Sequence, residues 1–109
     1  MSAYAGRVGM FDWYQPRAIA CPRCGAALVE WQGKDGPCAL FVYREGDAAP
    51  VDQRVDDDAR IAVTDRARFA LSRSVAIYSY DCEHAPVHAI ARVVGGVWVE
   101  TRLSAPARN

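Results

Sequence analysis

With 109 residues, 51% of them hydrophobic, and thirteen basic side chains balancing thirteen acidic ones, the chain has the make-up of one globular domain spanning residues 1–109. That composition excludes a disordered tail, and a formal charge of zero speaks against a nucleic-acid binder, which carries a basic excess. No apolar run approaches the roughly 20 residues of a membrane span. The N-terminus lacks the ~7–15-residue apolar core of a signal peptide, so a cytoplasmic location is expected. There thiols stay reduced, and closely spaced cysteines suit metal better than disulfides.

Residues 1–20 carry Tyr4, Phe11, Trp13 and Tyr14 without a clear period. Pro16 disfavours helix before it, so an extended lead-in that wraps across the domain is expected. Ala26 to Gln32 reads as a strand. Gly33-Lys34-Asp35-Gly36-Pro37 is dense turn chemistry, and Cys38 to Arg44 has strand composition. Together they predict a hairpin. Gly46 to Ala59 reads as a polar loop with Pro50, long for a connection and therefore a candidate contact surface. Thr64 is a candidate N-cap for one short helix running to Leu71.

The C-terminal third has the clearest pattern. Val75 to Tyr80 alternates, with Val75, Ile77 and Ser79 on one face. Val87 to Val94 and Val97 to Leu103 follow as strands around Gly95-Gly96, a two-residue hairpin turn. Strict alternation in the last strand sets Val97, Val99, Thr101 and Leu103 against Trp98, Glu100 and Arg102. Residues 104–109 read as a frayed tail. The expected fold is mostly β: a small antiparallel sheet of about five strands with a knuckle and one short helix.

Cys21-Pro22-Arg23-Cys24-Gly25 is the strongest chemical signal. A Cys-x-x-Cys turn presents two thiolates to zinc at about 2.3 Å without strain, and Gly25 permits the tight turn that follows. The redox alternative belongs where a strand runs into a helix, whereas here a strand follows. Tyr80-Asp81-Cys82-Glu83-His84-Ala85-Pro86 lies between two strands, so Cys82 and His84 complete a Cys3His set, an ordinary structural zinc site. The Cys-x-His gap is shorter than a standard knuckle, which keeps Cys38 and His88 as alternatives for the fourth position. Cys38 otherwise reads as a core residue, and His88 as a strand surface histidine. Four protein ligands leave no open position for a catalytic water.

Charge is unevenly placed. Glu45 to Asp58 holds six acids and one base, and Arg60 to Arg73 holds four arginines and one acid. Such a pair of blocks is either a solvated surface or a device that steers a charged partner. On the second reading Asp52, Asp56, Asp57 and Asp58 are candidate partner-binding residues. Trp98 joins them if it is exposed; packed beneath the acidic loop or the lead-in, it belongs to the core. Phosphate-binding glycine loops, a nucleophile elbow and a His-Glu-x-x-His motif are all missing, so no enzyme is expected.

Gly9-Met10-Phe11-Asp12, Cys21-Pro22-Arg23-Cys24-Gly25, Trp31-Gln32-Gly33-Lys34-Asp35, Tyr43-Arg44-Glu45-Gly46-Asp47 and Tyr78-Ser79-Tyr80-Asp81-Cys82 resemble the motifs of a group of small bacterial zinc-ribbon-like proteins. Members of that group are met beside polymorphic toxin genes, including those ending in ADP-ribosyltransferase domains. The resemblance implies an immunity protein, or antitoxin, that occludes a cognate toxin without turnover, as a monomer alone or 1:1 with the toxin. A zinc-ribbon module bound to nucleic acid or ribosome, through the knuckle and the Arg60–Arg73 segment, is the alternative.

Overall fold

The computed structural model describes residues 11–84 and 86–104. The expectations for Tyr4 and for a frayed tail beyond Ser104 fall outside these residues. Among them the chain is mostly β, with seven strands: β1 (Asp12–Gln15), β2 (Trp31–Gly33), β3 (Phe41–Arg44), β4 (Asp52–Gln53), β5 (Val75–Ser79), β6 (Val87–Val94) and β7 (Val97–Leu103). They form one mixed sheet in the order β4-β3-β1-β2-β5-β6-β7. The two strands beyond the expected five come from segments read as irregular, β1 from the lead-in and β4 from the acidic loop.

β1 escapes notice because its inward residues are Asp12 and Tyr14, and an aspartate masks the apolar alternation of a core strand. Its carboxylate is fully buried. It accepts the backbone N–H groups of Cys38 (2.7 Å), Ala39 (3.0 Å) and Phe41 (3.1 Å). Those donors belong to a bent segment in which Cys38 and Leu40 both take positive φ, near 60°, a conformation uncommon outside glycine. Leu40 N–H also donates to Phe11 C=O at 3.0 Å.

This bend corrects the expected β2–β3 hairpin. β1 lies between the two, antiparallel to β2 and parallel to β3. Cys38 is half-buried at the bend rather than within a strand. The first expected strand is shorter too, since regular pairing begins only at Trp31. The expected helix is a 3-10 helix over Val63–Phe69, capped by Ala62 with no side-chain hydrogen bond, so Thr64 is not its cap. It presents no buried side chain, and a segment without an apolar stripe gains little from α-helical packing.

β5, β6 and β7 follow the sequence closely. Val75, Ile77 and Ser79 point inward as expected, and Gly95 and Gly96 turn the hairpin at φ of 59° and 84°. One feature inverts the reading of β7. Arg92 pairs with Glu100, but Val93 pairs with Trp98, which leaves Val99 as an extra residue. Such a bulge swaps the faces of all residues beyond it. Trp98 therefore joins Thr101 on the inner face, where its indole N–H donates to the Thr101 hydroxyl (2.9 Å) and the Glu100 carbonyl (3.0 Å).

Trp98 is 0% exposed. Its role as an exposed partner-binding anchor is thus corrected to a core role, caused by the bulge at Val99. It packs edge-to-face on Tyr14 at 5.8 Å, and Tyr14 stacks on Tyr43 at 5.3 Å. Trp31, Phe41, Leu71, Val75, Ile77, Ala89 and Ala91 complete the core. The sheet rolls over this cluster until the turn after β3 meets β7: Gly46 N–H donates to Trp98 C=O (2.7 Å) and Trp98 N–H to Asp47 C=O (3.3 Å).

Candidate metal centre

Residues 19–28 form a small hairpin that carries the first cysteine pair. Leu28 N–H donates to Ile19 C=O (2.9 Å), Cys21 N–H to Ala26 C=O (2.8 Å), and Ala20 bridges Ala27. The tip closes through Gly25 N–H to Cys21 C=O at 2.8 Å, with Gly25 at φ 76°. This left-handed position is open to glycine without penalty. Arg23 N–H points at Cys21 Sγ, 3.4 Å away. Cys21 is buried beneath the turn and Cys24 is exposed on it.

The second half comes from the β5–β6 connection. β2 and β5 are neighbours, with Trp31 opposite Ser79, so the end of β5 emerges beside the exit of the first hairpin. Asp81 fixes the alignment. One carboxylate oxygen accepts the N–H groups of Val29 and Glu30, each at 2.7 Å. Its own N–H donates to the hydroxyl of the buried Ser79 at 3.2 Å.

Cys21, Cys24, Cys82 and His84 are thereby brought together, with one ligand atom from each lying within 4.8 Å of all the others. Cys21 Sγ and His84 Nδ1 are 4.0 Å apart. A tetrahedron with ~2.3 Å metal–sulfur bonds has sulfur–sulfur edges of about 3.8 Å. The side chains thus need close in by only about an ångström at most. These four residues are able to hold a metal ion, and their donor set is compatible with zinc.

Electrostatics agree. The N–H groups of Arg23 and Cys24 hold the Cys21 thiol down to about 7. Cys82 moves the other way: the His84 N–H favours its thiolate, but burial and the neighbouring Cys21 and Cys24 sulfurs outweigh it and push the thiol up. The first thiolate forms readily and then resists the next, a conflict that a dication at the centre removes.

The alternative ligands lie elsewhere. Cys38 donates its S–H to Lys34 C=O at 3.2 Å. His88 is exposed on β6 beside Tyr78, their rings 6.3 Å apart. Asp52, Asp56, Asp57 and Asp58 are all exposed. Part of that charge is met from within the chain, because Arg60 reaches Asp52 (3.4 Å) and Asp57 (3.7 Å). The residues that sequence reasoning did not single out are Asp81 and Ser79. A serine at the inward position of an apolar strand, two residues before an aspartate, was the available signal.

No helix among the described residues is long and apolar enough to cross a membrane. No protein-family model, curated protein or solved structure matches this chain.

Proposed function

We propose that Cys21, Cys24, Cys82 and His84 hold a structural zinc ion, and that the chain is a non-enzymatic binding protein acting as an immunity protein against a bacterial toxin. The observation that carries the metal half is the convergence of four protein donors. Four ligands fill a tetrahedron and leave no position for the activated water of a catalytic zinc. The ion would clamp the hairpin of residues 19–28 to the β5–β6 turn. It would supply folding energy and no chemistry.

The immunity half rests on the resemblance of the sequence motifs. It is supported by the exposed run Asp56, Asp57 and Asp58, where a toxin with a cationic nucleotide- or nucleic-acid-handling cleft would meet complementary charge. The nucleic-acid alternative is weakened because Arg60 and Arg66, two of its basic residues, are spent on Asp52, Asp57 and the carbonyls of Val55 and Val51.

Two measurements test the proposal separately. Elemental analysis of the purified protein should find one zinc per chain, and Cys82→Ser should lose it. Full zinc occupancy in that variant would reject the ligand set. Co-expression with the product of an adjacent gene that is toxic on its own should keep host cells alive. Death of the cells despite soluble, zinc-loaded protein would reject the immunity role and leave the metal assignment standing.

A further inference from the structure

β7 forms one edge of the sheet, and alternation fixes which of its backbone groups face outward. Ser104 N–H donates to His88 C=O at 2.8 Å, one step beyond the Ala89–Leu103 pair. Counting back by twos, Arg102 and Glu100 aim their N–H and C=O groups at β6, whereas Leu103 and Thr101 aim theirs away from the sheet. Gly46 and Asp47 cover only the outward groups of Trp98. On the side facing away from β6, the backbone from Val99 to Leu103 has no backbone partner among the described residues. Natural edges are commonly blunted by charge, proline, bulges or shortness, and β7 carries a bulge at Val99 and the charged pair Glu100 and Arg102. It is seven residues long and has neither lysine nor proline, and Val99 and Leu103 are 36% and 41% exposed.

The same five residues complement their own reverse. When Val99-Glu100-Thr101-Arg102-Leu103 is laid antiparallel to a second copy about a two-fold axis at Thr101, threonine faces threonine. Each Glu100 then faces an Arg102, and each Val99 a Leu103. Threonine pairs and opposite charges are favourable classes of cross-strand pair, and Val99 and Leu103 cover each other's exposed apolar surface. Within its own chain Glu100 also meets Arg92 and Arg102, and the Thr101 hydroxyl donates to Glu45. Moving the axis to residue 100 sets glutamate against glutamate, and moving it to residue 102 sets arginine against arginine. With the axis at Thr101, the outward N–H and C=O groups of that residue let the two copies exchange a pair of hydrogen bonds; side-chain charge, not the backbone, disfavours the axes at 100 and 102.

We propose that the chain forms a two-fold homodimer through β7, with the sheet running on across the axis from one copy into the next. The contact is independent of the toxin reading, since it uses neither the metal centre nor the acidic segment. A pair of five-residue strands is a small interface. Association is therefore weak, in the range of about micromolar to hundreds of micromolar.

Sedimentation equilibrium of the zinc-loaded full chain over that range should show the mass rising from 12.0 kDa toward twice that value. A constant monomer mass would overturn the proposal. E100R and R102E should each weaken association at least tenfold while keeping the wild-type circular dichroism. The double variant E100R/R102E should regain it. So should an equimolar mixture of the two single variants, in which a cationic strand faces an anionic one. Dimerisation untouched by either single variant would place the contact on another surface and reject this one. Hydrogen exchange supplies a second check: the Thr101 and Leu103 amides should gain protection as concentration rises. Protection already complete in the monomer would assign the edge to the chain's own terminal segments and count against the dimer.

Discussion

Tyr14 and Tyr43 stack within one core and differ by a single hydrogen bond. The Tyr43 hydroxyl donates to Phe69 C=O, whereas the Tyr14 hydroxyl is buried with no partner among the described residues. Burial, with Asp12 nearby, drives the ionisation of both phenols upward, so each stays neutral at any working pH. Tyr43→Phe should cost about 1 kcal/mol by stranding the Phe69 carbonyl, and Tyr14→Phe should be neutral or slightly stabilising. Urea unfolding of the two variants side by side checks this, and equal losses would show that the Tyr14 hydroxyl has found a partner.

Asp12 offers a pH test at the same scale. Burial raises its carboxyl above 3.8 and outweighs the three N–H donors, of which Cys38 is the strongest. The folded chain therefore keeps this proton to higher pH than the unfolded chain. Its contribution is fully present below the unfolded value and is lost as pH rises through the folded value. Asp12→Asn turns an amide donor toward backbone donors and should cost about 1–3 kcal/mol. The gap between variant and wild type should narrow as pH rises above about 4. A gap that widens over that interval would contradict the assigned direction.

Among the elements, the candidate metal centre is two turns held in line by Asp81. Asp81→Ala frees Val29 and Glu30 N–H and uncouples the β5–β6 turn from the knuckle hairpin. Zinc affinity should fall by roughly tenfold, as for other residues that orient ligands without touching metal, and competition with a chromophoric chelator measures it. Stripping the metal should loosen residues 19–30 and 80–84 first. β6 and β7 keep their own ladder, so their amides should exchange last. Uniform exchange across the chain after chelation would mean that zinc holds the whole sheet together.

At the scale of the molecule, Trp98 joins the two ends of the sheet. Its ring packs on Tyr14 from β1, while its backbone bonds the turn after β3. Trp98→Ala should destabilise by about 3–5 kcal/mol, the range for emptying a buried tryptophan site. Thermal unfolding would reveal it, and a loss under about 1 kcal/mol would show that the sheet closes without it.

Several parts of this protein were legible from the residues alone, and they share one property: their structure is decided by neighbours in the chain. The Cys21–Gly25 turn, the inward face of β5, the bounds of β6 and β7 and the Gly95-Gly96 turn all follow from periods and turn chemistry within a few residues. The residues alone made it legible that the chain is mostly β and that a cysteine pair able to ligate metal stands at its first turn.

The remaining features depend on long-range pairing. A buried Asp12 collecting three amides placed β1 between β2 and β3, where local pattern predicted a hairpin. One extra residue at Val99 turned Trp98 from surface to core, because a strand's side-chain period is two and a single insertion inverts it. The β2–β5 pairing, with Asp81 clasping its end, brought Cys82 and His84 to Cys21 and Cys24 across some sixty positions of sequence. No local period encodes which strand edges meet. That is settled by which buried donors and aromatic faces find partners when the sheet rolls up.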